Sequence, residues 1–211
     1  MTTLLHIDSS IQGERSVTRE LTRAIVADLR PKRHDLQVHY RNLATRPLTH
    51  LMLDLLPSDN PLAGVGAGGA GVGGPDDRHS RLASEEALDA FLAADVVVIG
   101  APMYNFTVPT QLKAWLDRIV IPGRTFRYSS ACPEGLMGGR RVIVAAAAGG
   151  FYGAETPQAL AEHVRSYLVA VFAVIGITPQ FIVAEGVQHG AEQRKMALDN
   201  AYSAIGALLP A

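Results

Sequence analysis

Short runs of apolar and β-branched residues alternate along the chain with longer stretches of helical periodicity. This alternation is typical of repeated βαβ units, in which each helix connects two strands of one parallel sheet. The pattern predicts five strands, at 4–8, 36–40, 95–102, 141–150 and 181–186. It predicts five helices, at about 17–30, 84–94, 109–120, 157–174 and 191–208. The fold class is therefore α/β.

The predicted strands differ in how apolar they are. The runs DVVVIGAP at Asp95–Pro102 and RVIVAAAAGG at Arg141–Gly150 are continuously apolar. Such runs are expected of strands that helices cover on both faces of a sheet. The segment Leu36–Tyr40 is more polar, so we place it near an edge.

Two of the predicted helix starts carry a proline. Pro109 and Pro157 suit the first turn of a helix, where the missing N–H would have had no intrahelical partner. Thr107 or Thr156 could supply the capping hydroxyl just before them.

The composition indicates one domain. The chain has 211 residues, of which 48% are hydrophobic and 18% charged, enough apolar material for a sizeable core. We predict a single domain over 1–211 with a Gly-rich loop insertion at about 57–80. Within it, Gly64–Gly74 contains seven of the 20 glycines and is expected to be a mobile surface loop.

Charge and targeting signals narrow the possible partners. A formal net charge of -1 provides no basic field for nucleic acid or an anionic membrane. The first ten residues lack a basic segment, so no secretory signal is predicted and a cytoplasmic location is expected. The single Cys132 fits a reducing compartment. The seven histidines form no helical HxxxH pair, so no metal site is expected.

The first candidate for chemistry follows the first predicted strand. Open parallel sheets bind ligands beyond the carboxyl ends of their strands. Here Ser9, Ser10, Ser16 and Thr18 supply hydroxyls around a helix start at Val17, where free N–H groups collect. We predict a phosphate site, with helix capping by Ser16 as the alternative. Neither a GxxxxGK[ST] nor a GxGxxG motif occurs in this segment, which disfavours an ATPase or a standard dinucleotide site here.

Two further loops belong to the same predicted edge of the sheet. After the third strand, Met103–Phe106 places an apolar and aromatic run on a loop, where a flat heteroaromatic ring or the protein's own core could cover it. After the fourth strand, Gly149 and Gly150 allow a ligand or another backbone to approach closely. A simple packing turn is the alternative for these two glycines.

These residues resemble the FMN-dependent NADH-azoreductases, also called FMN-dependent NADH:quinone oxidoreductases. The resemblance extends over nearly the whole chain. It is most specific in APMYNF at Ala101–Phe106, in the TQLKAWLDRI that follows, and in GRTFRYSSACPEGLMGGRRV at Gly123–Val142. It implies a flavodoxin-like, doubly wound sheet of five parallel strands in the order 2-1-3-4-5, with helices on both faces.

The resemblance also implies an FMN site. In that family the first loop receives the FMN phosphate, and the other two loops contact the flavin. The implied cofactor-binding residues here are Ser10, Ser16, Val17, Thr18, Met103, Tyr104, Asn105, Phe106, Ala147, Ala148, Gly149 and Gly150. The chain departs from the family at Ala147 and Ala148, where a Ser-Arg pair is usual, so only backbone N–H groups are expected to contribute there.

The implied activity is a ping-pong transfer of hydride from NADH or NADPH, through FMN, to quinones or azo compounds. The implied assembly is a homodimer with its active sites at the interface. Phe126 and Tyr152 are candidates for lining the substrate side, with core packing as the alternative for Phe126. Two other functions stay open: an FMN electron carrier that docks a redox protein, which the low net charge disfavours, and a phosphate-binding regulatory domain.

Overall fold

The apolar runs of the chain assemble into a central parallel sheet. The structure, a computed structural model, describes residues 1–32, 35–56, 75–130 and 132–208. Its strands are β1 (Thr2–Asp8), β2 (Leu36–Asn42), β3 (Val96–Pro102), β4 (Phe126–Tyr128), β5 (Pro133–Gly135), β6 (Arg141–Ala147) and β7 (Gln180–Ala184). Its α-helices are α1 (Val17–Lys32), α2 (Pro75–Ala93), α3 (Thr110–Ile119), α4 (Val164–Val174) and α5 (Ala191–Gly206).

The five parallel strands lie in the order β2-β1-β3-β6-β7. Counted along the chain without β4 and β5, this is the predicted order 2-1-3-4-5, which is confirmed, as is the edge position of β2. The register places Asp8 opposite Gly100 and Pro102 opposite Ala147. The loops that follow β1, β3 and β6 therefore leave the sheet at the same edge.

Side-chain alternation along the strands divides the core between the two faces of the sheet. On β3, Val96 and Val98 pack into the cluster under α1 and α5, whereas Val97 and Ile99 pack into the cluster under α2, α3 and α4. Because both faces are covered by helices, every position of the strand is apolar. None of the helices within the described residues is long and apolar enough to cross a membrane.

Two helix boundaries differ from the prediction. The helix predicted at 84–94 begins at Pro75, so the last part of the predicted insertion at 57–80 is helical. The rest of that insertion, including Gly64–Gly74, lies outside the described residues. Helix α3 begins at Thr110 with Pro109 as its N-cap, while Thr107 pairs with Tyr104 instead of capping the helix.

The helix predicted at 157–174 is interrupted. A short 3₁₀ turn at Ala159–Ala161 is followed by α4. The carboxylate of Glu162 accepts hydrogen bonds from the amides of Val164 and Arg165, at 3.1 and 2.8 Å, and so starts a new helix. Thr156 donates its hydroxyl to the carbonyl of Gly153 and caps no helix, and Pro157 precedes the 3₁₀ turn.

The antiparallel hairpin of β4 and β5 was not predicted. Its three-residue strands are too short to show an alternating pattern. Gly135 at the end of β5 lies against the backbone at the carboxyl end of α4, where a Cβ atom would overlap Ile175 and Gly176. Glycine is therefore required at this position by close backbone approach.

We expect Gly135→Ala to lower the free energy of unfolding by about 1–3 kcal/mol, because backbone atoms must move to admit the new methyl group. Urea unfolding followed by circular dichroism measures the change. The matched control is Gly206→Ala in α5, where a Cβ atom meets nothing within 4 Å. The control should leave stability unchanged or slightly higher, since alanine favours helix. Equal stability of the two variants would contradict the close approach.

Candidate functional site

A cleft opens at the carboxyl edge of the sheet, between the loops that follow β1, β3, β6 and β7. Its two adjoining parts have volumes of about 290 and about 810 Å³. Met103, Tyr104, Gly149 and Gln188 line both parts. The cleft lies where the strand order reverses between β1 and β3, which is the usual ligand position in doubly wound sheets.

The smaller part of the cleft ends at the N-terminus of α1. Ser16 Oγ accepts a hydrogen bond from the amide of Arg19 at 3.2 Å, so Ser16 does cap the helix. The same Oγ shares a hydrogen bond with Thr18 Oγ1 at 3.1 Å, and both side chains are buried. The amides of Val17 and Thr18 belong to the first turn, where no intrahelical acceptor exists. These N–H groups and the helix dipole make this end suitable for an anion.

The loop after β1 is tied to the loop after β3. Ser10 Oγ shares a hydrogen bond with Tyr104 Oη at 2.9 Å and accepts one from the amide of Gln12 at 3.3 Å. Ser9 Oγ donates to the carbonyl of Gly100 at 2.6 Å. The hydroxyl of Ser9 therefore serves the structure of the loop, while Ser10 lies beside an aromatic side chain of the cleft.

The chain from Tyr104 to Thr107 forms a two-residue turn. The amide of Tyr104 donates to the carbonyl of Thr107 at 2.9 Å, and the reverse bond is 3.2 Å. Asn105 and Phe106 have φ angles of 47° and 73°, as in a type I′ turn. Asparagine tolerates this conformation, but phenylalanine does so at a cost of about 1–2 kcal/mol. Strain of this kind is concentrated at ligand-binding loops.

The turn directs its side chains away from the core. Met103 packs against the core, whereas Phe106 is 50% exposed and lines the larger part of the cleft. The alternative that the protein's own core covers the whole loop therefore holds only for Met103. Phe106 is free to meet a ligand.

The loop after β6 forms the opposite wall. Ala147 and Ala148 are buried, and the amide of Ala148 donates to the carbonyl of Ala184 at 3.0 Å. The expectation that backbone N–H groups contribute at both alanines is therefore wrong for Ala148, whose N–H is used in strand pairing, and Ala147 is itself a paired residue of β6 between β3 and β7. The carbonyl of Ala147 accepts a hydrogen bond from the amide of Met103 at 2.8 Å. The two loops are thereby joined directly.

Gly149 and Gly150 continue this wall. Their carbonyls accept hydrogen bonds from the amides of Gln188 and Gly186. Their own N–H groups have no acceptor among the described residues. A Cβ atom at Gly149 would lie 2.7 Å from Gln188 Oε1, and one at Gly150 would lie 3.3 Å from the Tyr152 ring. The glycines thus leave room in the cleft wall and present two unpaired donors, which fits the polar edge of a flat ring better than a simple packing turn does.

The two candidate substrate-lining residues lie in different environments. Tyr152 lines the larger part of the cleft, and its ring meets Phe106 edge-on with centroids 6.3 Å apart. Phe126 is only 6% exposed and packs in the core, edge-on to Tyr128. Within one chain Phe126 therefore takes the alternative position in the core, and its contribution to the substrate side stays a prediction.

A family model described as flavodoxin-like fold matches residues 2–209. The chain belongs to this family. An FMN-dependent NADH:quinone oxidoreductase of Gluconacetobacter diazotrophicus is 50% identical to this flavodoxin-like chain over 207 residues, covering 97% of the chain and 98% of the relative. A protein of the same name from Methylorubrum populi is 51% identical over 206 residues, with 97% and 98% covered.

Solved structures agree with the flavodoxin-like fold. An azoreductase of Bacillus anthracis superposes with a TM-score of 0.80 at 25% identity, covering 99% of this chain and 100% of that one. An FMN-dependent NADH-azoreductase of Bacillus anthracis in complex with FMN gives a TM-score of 0.82 at 24% identity, covering 98% and 97%. At 24% identity, the similarity to this second structure indicates a shared fold alone.

A buried carboxylate supports the anion end of this flavodoxin-like cleft. Asp8 accepts hydrogen bonds from Thr22 at 2.8 Å and Tyr40 at 2.9 Å. His6 Nε2 lies 3.4 Å and Arg19 Nε 3.5 Å from its oxygens. Burial raises the pKa of Asp8, but the contact with His6 and the bonds from Thr22 and Tyr40 lower it more, so the net pKa is below its ordinary value.

Sequence reasoning missed several polar residues of the cleft. Gln12 lies within the first loop, and Gln188 and Arg194 follow β7. The residues after β7 could have been predicted from the sequence, because ligands bind beyond the carboxyl ends of parallel strands and this applies to the fifth strand as well. The described residues contain no group of three His, Cys, Asp or Glu side chains that could hold a metal ion.

Ionised Asp8 should stabilise the fold at neutral pH. Because its pKa is lowered on folding, this contribution is present above the ordinary aspartate pKa of about 3.9 and is lost as the pH falls through the folded-state value. We expect the difference in unfolding free energy between the wild type and Asp8→Asn to be largest near neutral pH and to shrink below about pH 4.

Urea unfolding across a pH series measures this difference. Asp199→Asn is the control, because Asp199 is 57% exposed and pairs with Lys195 on the surface of α5, where such pairs contribute little. A wild-type to Asp8→Asn difference that does not vary between pH 7 and pH 3 would show that the charge of Asp8 does not stabilise the fold.

Proposed function

We propose that this chain is an FMN-dependent NADH:quinone oxidoreductase that also reduces azo compounds. The observation that carries the proposal is one cleft lined at one end by the N-terminus of α1, which suits an anion, and at the other by an aromatic turn and two glycines whose amides are unpaired among the described residues. FMN carries a phosphate and a flat heteroaromatic ring at the two ends of a ribityl chain. The relatives at 50% and 51% identity, both named for this activity, support the same function.

The residues present fit FMN. The amides of Val17 and Thr18 would receive the phosphate, with Ser10 and Ser16 beside it. The turn at Tyr104–Phe106 would cover the ring, and the N–H groups of Gly149 and Gly150 would meet its polar edge. When bound, FMN supplies two-electron hydride chemistry, and the protein supplies position and electrostatics.

The protein's contribution to the reaction is to orient the reactants and to stabilise charge. The amides of Gly149 and Gly150, unpaired among the described residues, would stabilise negative charge on a bound flavin. The larger part of the cleft, about 810 Å³, would admit the nicotinamide and then the acceptor at the same place. Phe106 and Tyr152 offer aromatic surface there, on which planar acceptors would stack.

We also propose a homodimer with its active sites at the interface, acting in the cytoplasm. Exposed apolar side chains near the cleft support the assembly: Leu160 is 93% exposed, Phe106 50% and Phe151 38%. The amide of His163 donates to the carbonyl of Phe106, so the segment that carries Leu160 lies against the aromatic turn. The free, exposed Cys132 suits a reducing compartment.

The activity is tested by anaerobic stopped-flow measurement on the FMN-loaded protein. NADH should bleach the visible flavin band, and a quinone added afterwards should restore it, in two saturable half-reactions of a ping-pong cycle. The same protocol with NADPH determines the preferred nicotinamide. An FMN electron carrier, the alternative that we do not favour, would be bleached only through a partner reductase. Absence of bleaching by either nicotinamide would contradict the proposal.

The position of the phosphate is tested by a matched pair of variants at Ser16. Asparagine and aspartate both cap helices well, so Ser16→Asn and Ser16→Asp differ mainly in charge. We expect the aspartate variant to bind FMN at least about tenfold more weakly than the asparagine variant, because its carboxylate repels the phosphate. Quenching of flavin fluorescence measures both dissociation constants. Equal affinities would place the phosphate elsewhere.

A further inference from the structure

Carboxylates crowd the anion end of the cleft. Asp8 lies near Arg19 of the first turn of α1, Glu14 precedes that turn, and Glu20 belongs to it. Arg19 and Arg23, in the first two turns of this helix, are already paired with Asp8 or Glu14. Arg19 Nη1 lies 3.1 Å from Glu14, with its Nε near Asp8, and Arg23 donates to both oxygens of Glu14, at 2.7 and 3.1 Å. Neither arginine lines the cleft.

Arg194 is a cation that does line the cleft. It lies in the first turn of α5 and borders the smaller part together with Ser16, Val17 and Thr18. Its Nη2 is 3.9 Å from Glu20, which is too far for a hydrogen bond. The other oxygen of Glu20 accepts a short bond of 2.6 Å from Tyr202. Glu20 is therefore bound more closely by Tyr202 than by Arg194, and the guanidinium of Arg194 makes no hydrogen bond to Glu20.

We infer that Arg194 is a phosphate-recognition residue that turns from Glu20 to the ligand when FMN binds. This inference rests on the proposed function, which makes FMN the ligand. A phosphate monoester carries about two negative charges at neutral pH, whereas the helix dipole offers only about half a positive charge. A guanidinium that donates two N–H groups to phosphate oxygens supplies the missing charge and fixes the orientation.

In this role Arg194 selects FMN over riboflavin. Riboflavin has the same ring as FMN but lacks the phosphate, so a side chain that acts on the phosphate stabilises only the FMN complex. Tyr202 would continue to hold Glu20 after Arg194 has turned away. The polarity of the cleft therefore separates into a ring end that both flavins use and a phosphate end that selects FMN.

The test compares the dissociation constants of FMN and riboflavin, measured by flavin fluorescence quenching on the apoprotein. Arg194→Gln should weaken FMN binding about tenfold or more and change riboflavin binding less than about twofold. Lys195→Gln is the matched control: it removes the same charge one residue further along α5, from a side chain that is 78% exposed and paired with Asp199. The control should bind both flavins like the wild type.

A second background excludes an indirect effect. Removing Arg194 takes a positive charge away from the neighbourhood of Glu20, and the negative charge of Glu20 could then repel the phosphate. In the Glu20→Gln background, Arg194→Gln should still weaken FMN binding selectively. Salt should also weaken FMN binding less in Arg194→Gln than in the wild type, because one phosphate contact is gone.

Three outcomes would overturn the inference: unchanged FMN affinity in Arg194→Gln, equal losses for FMN and riboflavin, or an equal loss in Lys195→Gln. If the wild type binds FMN and Arg194→Gln binds it equally well, the role of Arg194 is overturned and the proposed function stands. A wild-type protein that binds neither flavin would overturn both.

Discussion

The buried carboxylate of Asp8 connects three elements at the point where the cleft opens. Thr22 donates to it from α1, Tyr40 donates to it from β2, and Arg19 approaches it from the first turn of α1. These contacts hold the N-terminus of α1 against the end of β1. The contact with His6, together with the bonds from Thr22 and Tyr40, lowers the pKa of Asp8 in spite of its burial. The part of the cleft that suits an anion depends on this arrangement, because the contacts to Asp8 fix the orientation of α1 and so the direction of the amides of Val17 and Thr18.

The opposite end of the cleft, at Phe106, Gly149 and Gly150, contains locally unfavourable backbone features. Phe106 adopts a positive φ that its side chain disfavours, and the backbone at Gly149 and Gly150 leaves two amide donors unpaired among the described residues. The hydrogen bond from the amide of Met103 to the carbonyl of Ala147 joins the two loops that carry these residues. A bound planar ring would cover the aromatic side chain and satisfy the donors, so the features that are unfavourable in the free chain become favourable in a complex.

The sheet was predictable because strands covered on both faces produce continuous apolar runs, as in β3, and the loops after β1, β3 and β6 could be predicted to meet because they follow the carboxyl ends of these strands. Features set by tertiary contacts were not predictable. The side chain of Glu162 restarts a helix, strand pairing uses the amide of Ala148, and Arg194 reaches the cleft from a helix that is distant in sequence. The hairpin of β4 and β5, which buries Phe126, is too short to have a readable period.

The claim that the N-terminus of α1 receives the phosphate of FMN is tested most directly by a crystal structure of the chain with FMN bound. The phosphate should lie within hydrogen-bonding distance of the amides of Val17 and Thr18, with the ring against the turn at Asn105–Phe106 and its polar edge toward Gly149 and Gly150. A phosphate bound away from α1, or a ring outside the cleft, would contradict the claim.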